Sequence, residues 1–330
     1  MTTSRFMQRF LSIAMIAWGL SGAEPIAPKG KVLWQEPTDL QSRNLLYGSG
    51  GKNDMPPAGP FQFVKEDLQG TNPKFTAVDA DGVKWKVKLG AEARPETAAT
   101  RLVWAVGYFT DEDYLVERAQ LTGVPFNTLR RLKGQISPDS SITAARFERR
   151  QKGEKKESNW AWKNGDFAGT RELNGLRTLM ALLNNWDLKD ENNAIYESKS
   201  GGEIFAVSDL GASFGTTGIV IGHERSRGNL KSYEHSRFIT HQSSERVDFA
   251  CPGRPTFLLI MNPWGFFSRT RMESVGHHIP RADAKWIGSL LGRLSPAQIR
   301  DAFRAAGYSP EQVEGFARVV ERRIAALNAL

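Results

Sequence analysis

Acid, base and amide side chains recur at short spacing between Leu182 and Gly215. Asp187, Lys189 and Asn192 fall in the order D-L-K-x-x-N, and Asp209 follows in Ser208-Asp209-Leu210-Gly211. Between them the pattern predicts a hairpin: a strand over Ala194-Ile195-Tyr196, a Gly201-Gly202 turn, and a second strand from Ile204 to Val207. Such a hairpin carries an acid and an amide at its start and a second acid at its finish. Asp187 can orient an attacking hydroxyl. Asn192 and Asp209, both hard oxygen donors, can hold Mg²⁺ against the phosphates of a nucleotide.

Those residues need elements to place them. A helix over residues 169–183, with Leu173, Leu176, Leu179, Met180 and Leu183 at helical spacing, delivers the chain to Asp187. Trp160 and Trp162 are expected to pack against it. Upstream, Phe61–Val64, Lys74–Val78 and Val83–Lys88 read as strands, the last two joined by the hairpin signal Asp79-Ala-Asp-Gly82. Alternation puts Val83, Trp85 and Val87 on one face and Lys84, Lys86 and Lys88 on the other, where a solvated edge explains Lys84 and Lys86. A helix is predicted from Pro95 to Val106, stopped by Gly107, with Ala99, Leu102, Val103 and Val106 as its apolar face. Glu96 sits at the edge of that face and wants a cation, and Lys88 is the nearest candidate. A first-turn glutamate favoured by the helix dipole accounts for Glu96 equally well. In the turn Leu68–Lys74, the backbone N–H groups from Gly70 through Thr71 to Asn72 and the Lys74 ammonium could contact phosphate, although with one glycine an ordinary turn reads better.

Further strands are expected around Tyr114–Val116 and Ile142–Phe147. The charged run Arg149–Ser158 reads as a solvated loop and the boundary between two units. Residues 24–60, rich in Pro and Gly, read as an extended, poorly packed segment, and residues 216–256 show little periodicity. Phe257–Met261 reads as buried. His223, His235, His241 and His277-His278 lack metal-ligand spacing, which argues against zinc. Ser295-Pro-Ala-Gln298 and Ser309-Pro-Glu-Gln312 each announce a capped helix, and the last one is expected to bury Val313, Phe316, Val319, Val320 and Ile324.

Residues 1–23 read as an export signal: Arg5 and Arg9, an apolar core from Phe10 to Leu20, then Ser21-Gly22-Ala23 before Glu24. The mature chain is expected in the periplasm or outside the cell, without a transmembrane segment. Cys251 is the only cysteine, so an intrachain disulfide is excluded. The net charge of +8 fits an anionic partner without choosing one. No basic-aromatic motif accompanies it, so nucleic acid is not expected.

The order of these residues resembles the protein-kinase-like superfamily, with D-L-G in place of D-F-G. Val87-Lys88-Leu89-Gly90, followed by Pro95-Glu96 and a helix ending at Gly107, is similar to the N-lobe of HipA-type and secretory-pathway (Golgi casein kinase-type) atypical kinases. The resemblance implies an α+β, two-lobed fold, with a small β-rich N-lobe over residues 61–150 and a larger helical C-lobe over 151–330. It implies ATP and Mg²⁺ (or Mn²⁺) as cofactors, Lys88 as the phosphate-binding lysine and Glu96 as its partner. Asp187 would be the catalytic acid/base, Lys189 the lysine on the transferring phosphate, and Asn192 and Asp209 the metal ligands, with Asn193 as the alternative to Asn192. Asn185-Trp186 replaces His-Arg before the catalytic acid, and no A-P-E follows. An exported phosphotransferase acting on a hydroxyl acceptor is one expectation. A catalytically silent binding module of the same fold is the other.

Overall fold

Alternating apolar and polar side chains build the first half of the chain into strands. β1 (Lys31–Val32) is followed by β2 (Phe61–Asp67), β3 (Lys74–Val78) and β4 (Lys84–Lys88), along which Phe61, Phe63, Phe75, Ala77, Trp85 and Val87 are all buried. This computed structural model describes residues 30–70, 72–150, 156–185, 187–198, 201–215, 227–250, 272 and 274–330. The export signal expected over residues 1–23, Thr71, His223 and Phe257–Met261 lie outside the described residues.

Helix α1 (Ala93–Ala105) leads into β5 (Phe109–Thr110), β6 (Asp113–Thr122) and β7 (Ser141–Arg150). β2, β3, β4, β7 and β6 close into a barrel, antiparallel except where β2 meets β6. Closure leaves no free edge among these strands. Inside it Phe61 packs on Phe147 with ring centres 4.7 Å apart, and the Trp85 indole donates to Asp79 Oδ2 at 2.8 Å. The other Asp79 oxygen accepts the N–H groups of Asp81 and Val83, which makes the expected Asp-Gly turn.

β8 (Lys156–Ser158), α2 (Arg171–Leu183), β9 (Asn193–Glu197) and β10 (Glu203–Val207) form the next stretch. A second sheet runs β1-β10-β9-β8, and β5 also pairs with β10. α3 (Leu230–His235) precedes a small sheet of β11 (Ile239–Gln242), β12 (Arg246–Phe249) and β13 (Ile279–Pro280). The chain closes with α4 (Arg281–Leu291), α5 (Pro296–Ala305) and α6 (Pro310–Asn328). Both capping boxes form as read, Ser295 with Gln298 and Ser309 with Gln312. Among the described residues no helix is long and apolar enough to cross a membrane. The whole is a mixed α/β architecture.

Three expectations change. The segment before β2 is not poorly packed: Leu33, Leu40 and Leu45 are buried in the helical core, and Gln298 Nε2 donates to the carbonyls of Leu40 and Arg43 at 2.9 and 3.0 Å. Its apolar residues follow no fixed period, which hid their burial. The charged run after Phe147 is not wholly loop, since β7 extends to Arg150 and Lys156–Ser158 pairs with β9. Charged residues suit β8, which forms an edge of its sheet. Helix α1 begins at Ala93, two residues before Pro95. A proline fits there because the first-turn N–H groups have no intrahelical acceptor.

Candidate active site

Lys88 ends β4 with its side chain turned away from the barrel interior, and it is 4% exposed. Its ammonium has three N–H donors and meets three carboxylates: Asp209 at 2.6 Å, Glu96 at 2.8 Å and Glu92 at 3.5 Å. Burial alone would lower its pKa, but Glu96 and Asp209 outweigh it and hold the lysine charged. Glu96 lies in the first turn of α1 and is 1% exposed. Burial pushes its pKa up to about 7, against the pull of Arg146 and Lys88. Behind Glu96 the charges continue inward. Arg146 Nε lies 3.3 Å from Glu96, and its other nitrogens reach Asp113 and Glu148. Asp113 also takes Arg101 at 3.1 Å and the Thr100 hydroxyl at 3.0 Å. The strand lysine is thus fixed by a braced network rather than one pair.

The β9–β10 hairpin brings the D-L-K-x-x-N loop to D-L-G. Asn193 is the register partner of Val207, and the Ser208 N–H donates to the Asn192 carbonyl at 3.0 Å. Asn192 and Asp209 therefore flank one junction. Asn192 Nδ2 donates to the Asp187 carbonyl at 2.7 Å, which ties down the amide nitrogen and leaves Oδ1 as the side chain's acceptor. Asn193, the alternative ligand, is fully buried with its Nδ2 on the Trp160 carbonyl at 3.0 Å. The Asp187 carboxylate is 20% exposed and pairs with Lys189 at 2.7 Å. Asp209 sits in the left-handed region at φ 53°, unusual for a non-glycine residue and associated with functional sites. Burial would raise its pKa, but Lys88 prevails and holds it below the usual carboxylate range.

The chain therefore gathers Lys88, Glu96 and Asp209 by direct contact, and Asp187, Lys189 and Asn192 in one loop joined to them through Ser208. The β2–β3 turn is tied differently. Lys74 is the register partner of Lys88, yet its ammonium lies 3.4 Å from Asp67 across the hairpin. Gly70, at φ 66°, accepts from the Arg131 guanidinium through its carbonyl. Side-chain oxygens such as those of Asp209 and Asn192 suit Mg²⁺, which commonly takes few protein ligands beside substrate phosphate, although Asp209 Oδ1 is here on Lys88. Among the described residues no group of three His, Cys, Asp or Glu side chains forms a metal cage.

Sequence reasoning missed Glu92, Arg146, Asp113 and Arg227, and named Asn72 only for its backbone N–H. Glu92 N-caps α1 without capping it; its carboxylate meets Asn72 Nδ2, Lys88 Nζ and, at 3.1 Å, Arg227 Nε. A signal existed for two of them. Glu92 lies four residues from both Lys88 and Glu96, and Arg146 interrupts the apolar end of a strand.

No protein-family model and no curated protein matches the chain. Among solved structures it is similar to the crystal structure of a Helicobacter pylori proinflammatory kinase, CtkA, at 11% identity and a TM-score of 0.46. That alignment covers 83% of this chain and 98% of the other. So slight a likeness assigns neither fold nor function, and the geometry of the chain's own residues has to carry both.

Proposed function

We propose that this chain has a kinase-like fold and moves the γ-phosphoryl group of ATP to a hydroxyl acceptor, a protein, lipid or small molecule. The observation that carries the reading is Lys88, held by Glu96 at 2.8 Å and reaching Asp209 at 2.6 Å. A strand lysine, a helix carboxylate and a strand-end acid near one another are the parts a kinase-type site uses to position phosphate and stabilise charge, which supports the reading. In this reading the barrel would be an N-lobe, α2 with the hairpin and C-terminal helices a C-lobe, and α1, whose apolar face lies in the helical core, would join the two.

Each residue then has a role. Lys88 holds the nucleotide phosphates, and Glu96, braced by Arg146, fixes the lysine in place. Asp187 orients the acceptor hydroxyl and takes its proton late in the transfer. Lys189, paired with Asp187, would meet the transferring phosphate. Asn192 and Asp209 would hold Mg²⁺, which when bound neutralises charge on the phosphates. Gly70, Thr71 and Lys74 are proposed as a cover for the phosphates.

The Lys88–Asp209 contact also favours a second reading, a silent binding module, because it occupies the metal ligand with the lysine. Phosphoryl transfer and ATP hydrolysis by wild type and Asp187→Asn separate the two. The enzyme reading expects turnover in wild type and a fall on the order of 10² to 10⁴ in the variant, the range for losing a general base. Wild type that binds ATP but turns nothing over would leave the binding module.

A further inference from the structure

Glu92 joins four elements by one side chain that is 5% exposed. Its carboxylate accepts from Asn72 in the β2–β3 turn, meets Lys88 at the end of β4, and pairs with Arg227 beyond D-L-G. Gly211 of D-L-G packs on its stem so closely that a Cβ there would come within 2.6 Å of Glu92 Cβ. Glu92 stands at the N-cap of α1, yet its carboxylate accepts no first-turn N–H. It is held instead by an amide, an ammonium and a guanidinium, a donor set that suits a phosphoryl group.

We infer that Asn72 and Arg227 bind nucleotide phosphate together with Lys88, and that Glu92 holds their place until phosphate displaces it. This rests on the nucleotide-binding reading above and adds two binding residues and a latch to it. Lys88 donates hydrogen bonds to Asp209 and Glu92 and pairs with Glu96, so a phosphate that takes the place of Glu92 meets the same ammonium. Glu96 is braced by Arg146, while Glu92 makes the longest of the three contacts. A cavity of about 540 Å³, lined by Ala91, Arg94, Arg227 and Tyr308 among others, opens beside Arg227.

The test is calorimetric titration of the full chain with tripolyphosphate, and separately with ATP and Mg²⁺. Glu92→Gln keeps the shape and removes the competing charge, so tripolyphosphate affinity should rise about tenfold over wild type. Adding Arg227→Ala to that variant should reverse most of the gain. In wild type, carbodiimide labelling of Glu92, read by peptide mass spectrometry, should increase when tripolyphosphate is added. This arm needs no variant to fold. Equal affinity of wild type and Glu92→Gln for both ligands would overturn the latch and leave nucleotide binding intact. Gain for tripolyphosphate with no ATP binding in any variant would support the latch and remove the nucleotide reading. If Arg227→Ala changes nothing in the Glu92→Gln background, Arg227 is only a brace for Glu92 and the inference fails.

Discussion

Two acids in the Lys88 network look alike on paper and differ in what their loss should do. Asp113 is fully buried between Arg101 and Arg146. Asp113→Asn removes the carboxylate that Arg101 pairs with, while Arg146 keeps Glu96 and Glu148, so urea denaturation should show a loss of about 3–5 kcal/mol from breaking the buried Arg101 pair. Asp209 is half-buried at the mouth of the site, and its pKa is held low by Lys88. A carboxylate whose folded pKa is depressed contributes stability that is present above its unfolded value and lost as pH falls through the folded one. The melting temperature of wild type should therefore drop as pH goes below about 4, and Asp209→Asn should lack that part of the drop. A variant that keeps the whole acid limb would assign it to other carboxylates.

At the scale of elements, two glycines hold helices against the site region for different ends. Gly211 lets D-L-G lie on Glu92, and a methyl group there meets Glu92 Cβ at 2.6 Å. Gly175 lets α2 accept the Trp286 ring, which a Cβ would meet at 2.5 Å. Both Gly→Ala changes should cost about 1–3 kcal/mol in thermal or urea unfolding, the usual range for overpacking. Only Gly211→Ala should also weaken ATP binding, because it alone separates α1 from D-L-G; equal weakening by Gly175→Ala would point to a general loosening. The strands and helices around these glycines were legible in sequence because their periods repeat over several residues. The Lys88–Glu96 pairing was one of two even readings of Glu96 in sequence, beside the helix dipole, and the structure shows the pair at 2.8 Å. Glu92 was not legible as a hub, since its partners arrive from the β2–β3 turn, β4 and the chain past D-L-G. The burial of Leu33, Leu40 and Leu45 was masked by the surrounding Pro and Gly. Long-range register decides both, and no local pattern encodes it.

Over the whole molecule, the barrel has its own core, whereas α1 buries Ala98, Ala99, Leu102 and Val103 in the helical core with α2 and α6. Glu96 travels with the helical core and Lys88 with the barrel, so their salt bridge reports on how the two parts meet. The export signal read over residues 1–23 has its own test. N-terminal sequencing of secreted material should return Glu24 first, while Met1 or Thr2 would refute cleavage there. The central claim, that Lys88, Asn192 and Asp209 form a metal-nucleotide site worked by Asp187, is tested most directly by ATP affinity with and without Mg²⁺. Calorimetry on wild type, Asp187→Asn and Asp209→Asn supplies it. Wild type should bind ATP more tightly with Mg²⁺, Asp209→Asn should lose that Mg²⁺-dependent gain, and Asp187→Asn should keep it. No ATP binding by wild type would contradict the claim, as would loss of binding in Asp187→Asn with Asp209→Asn unaffected.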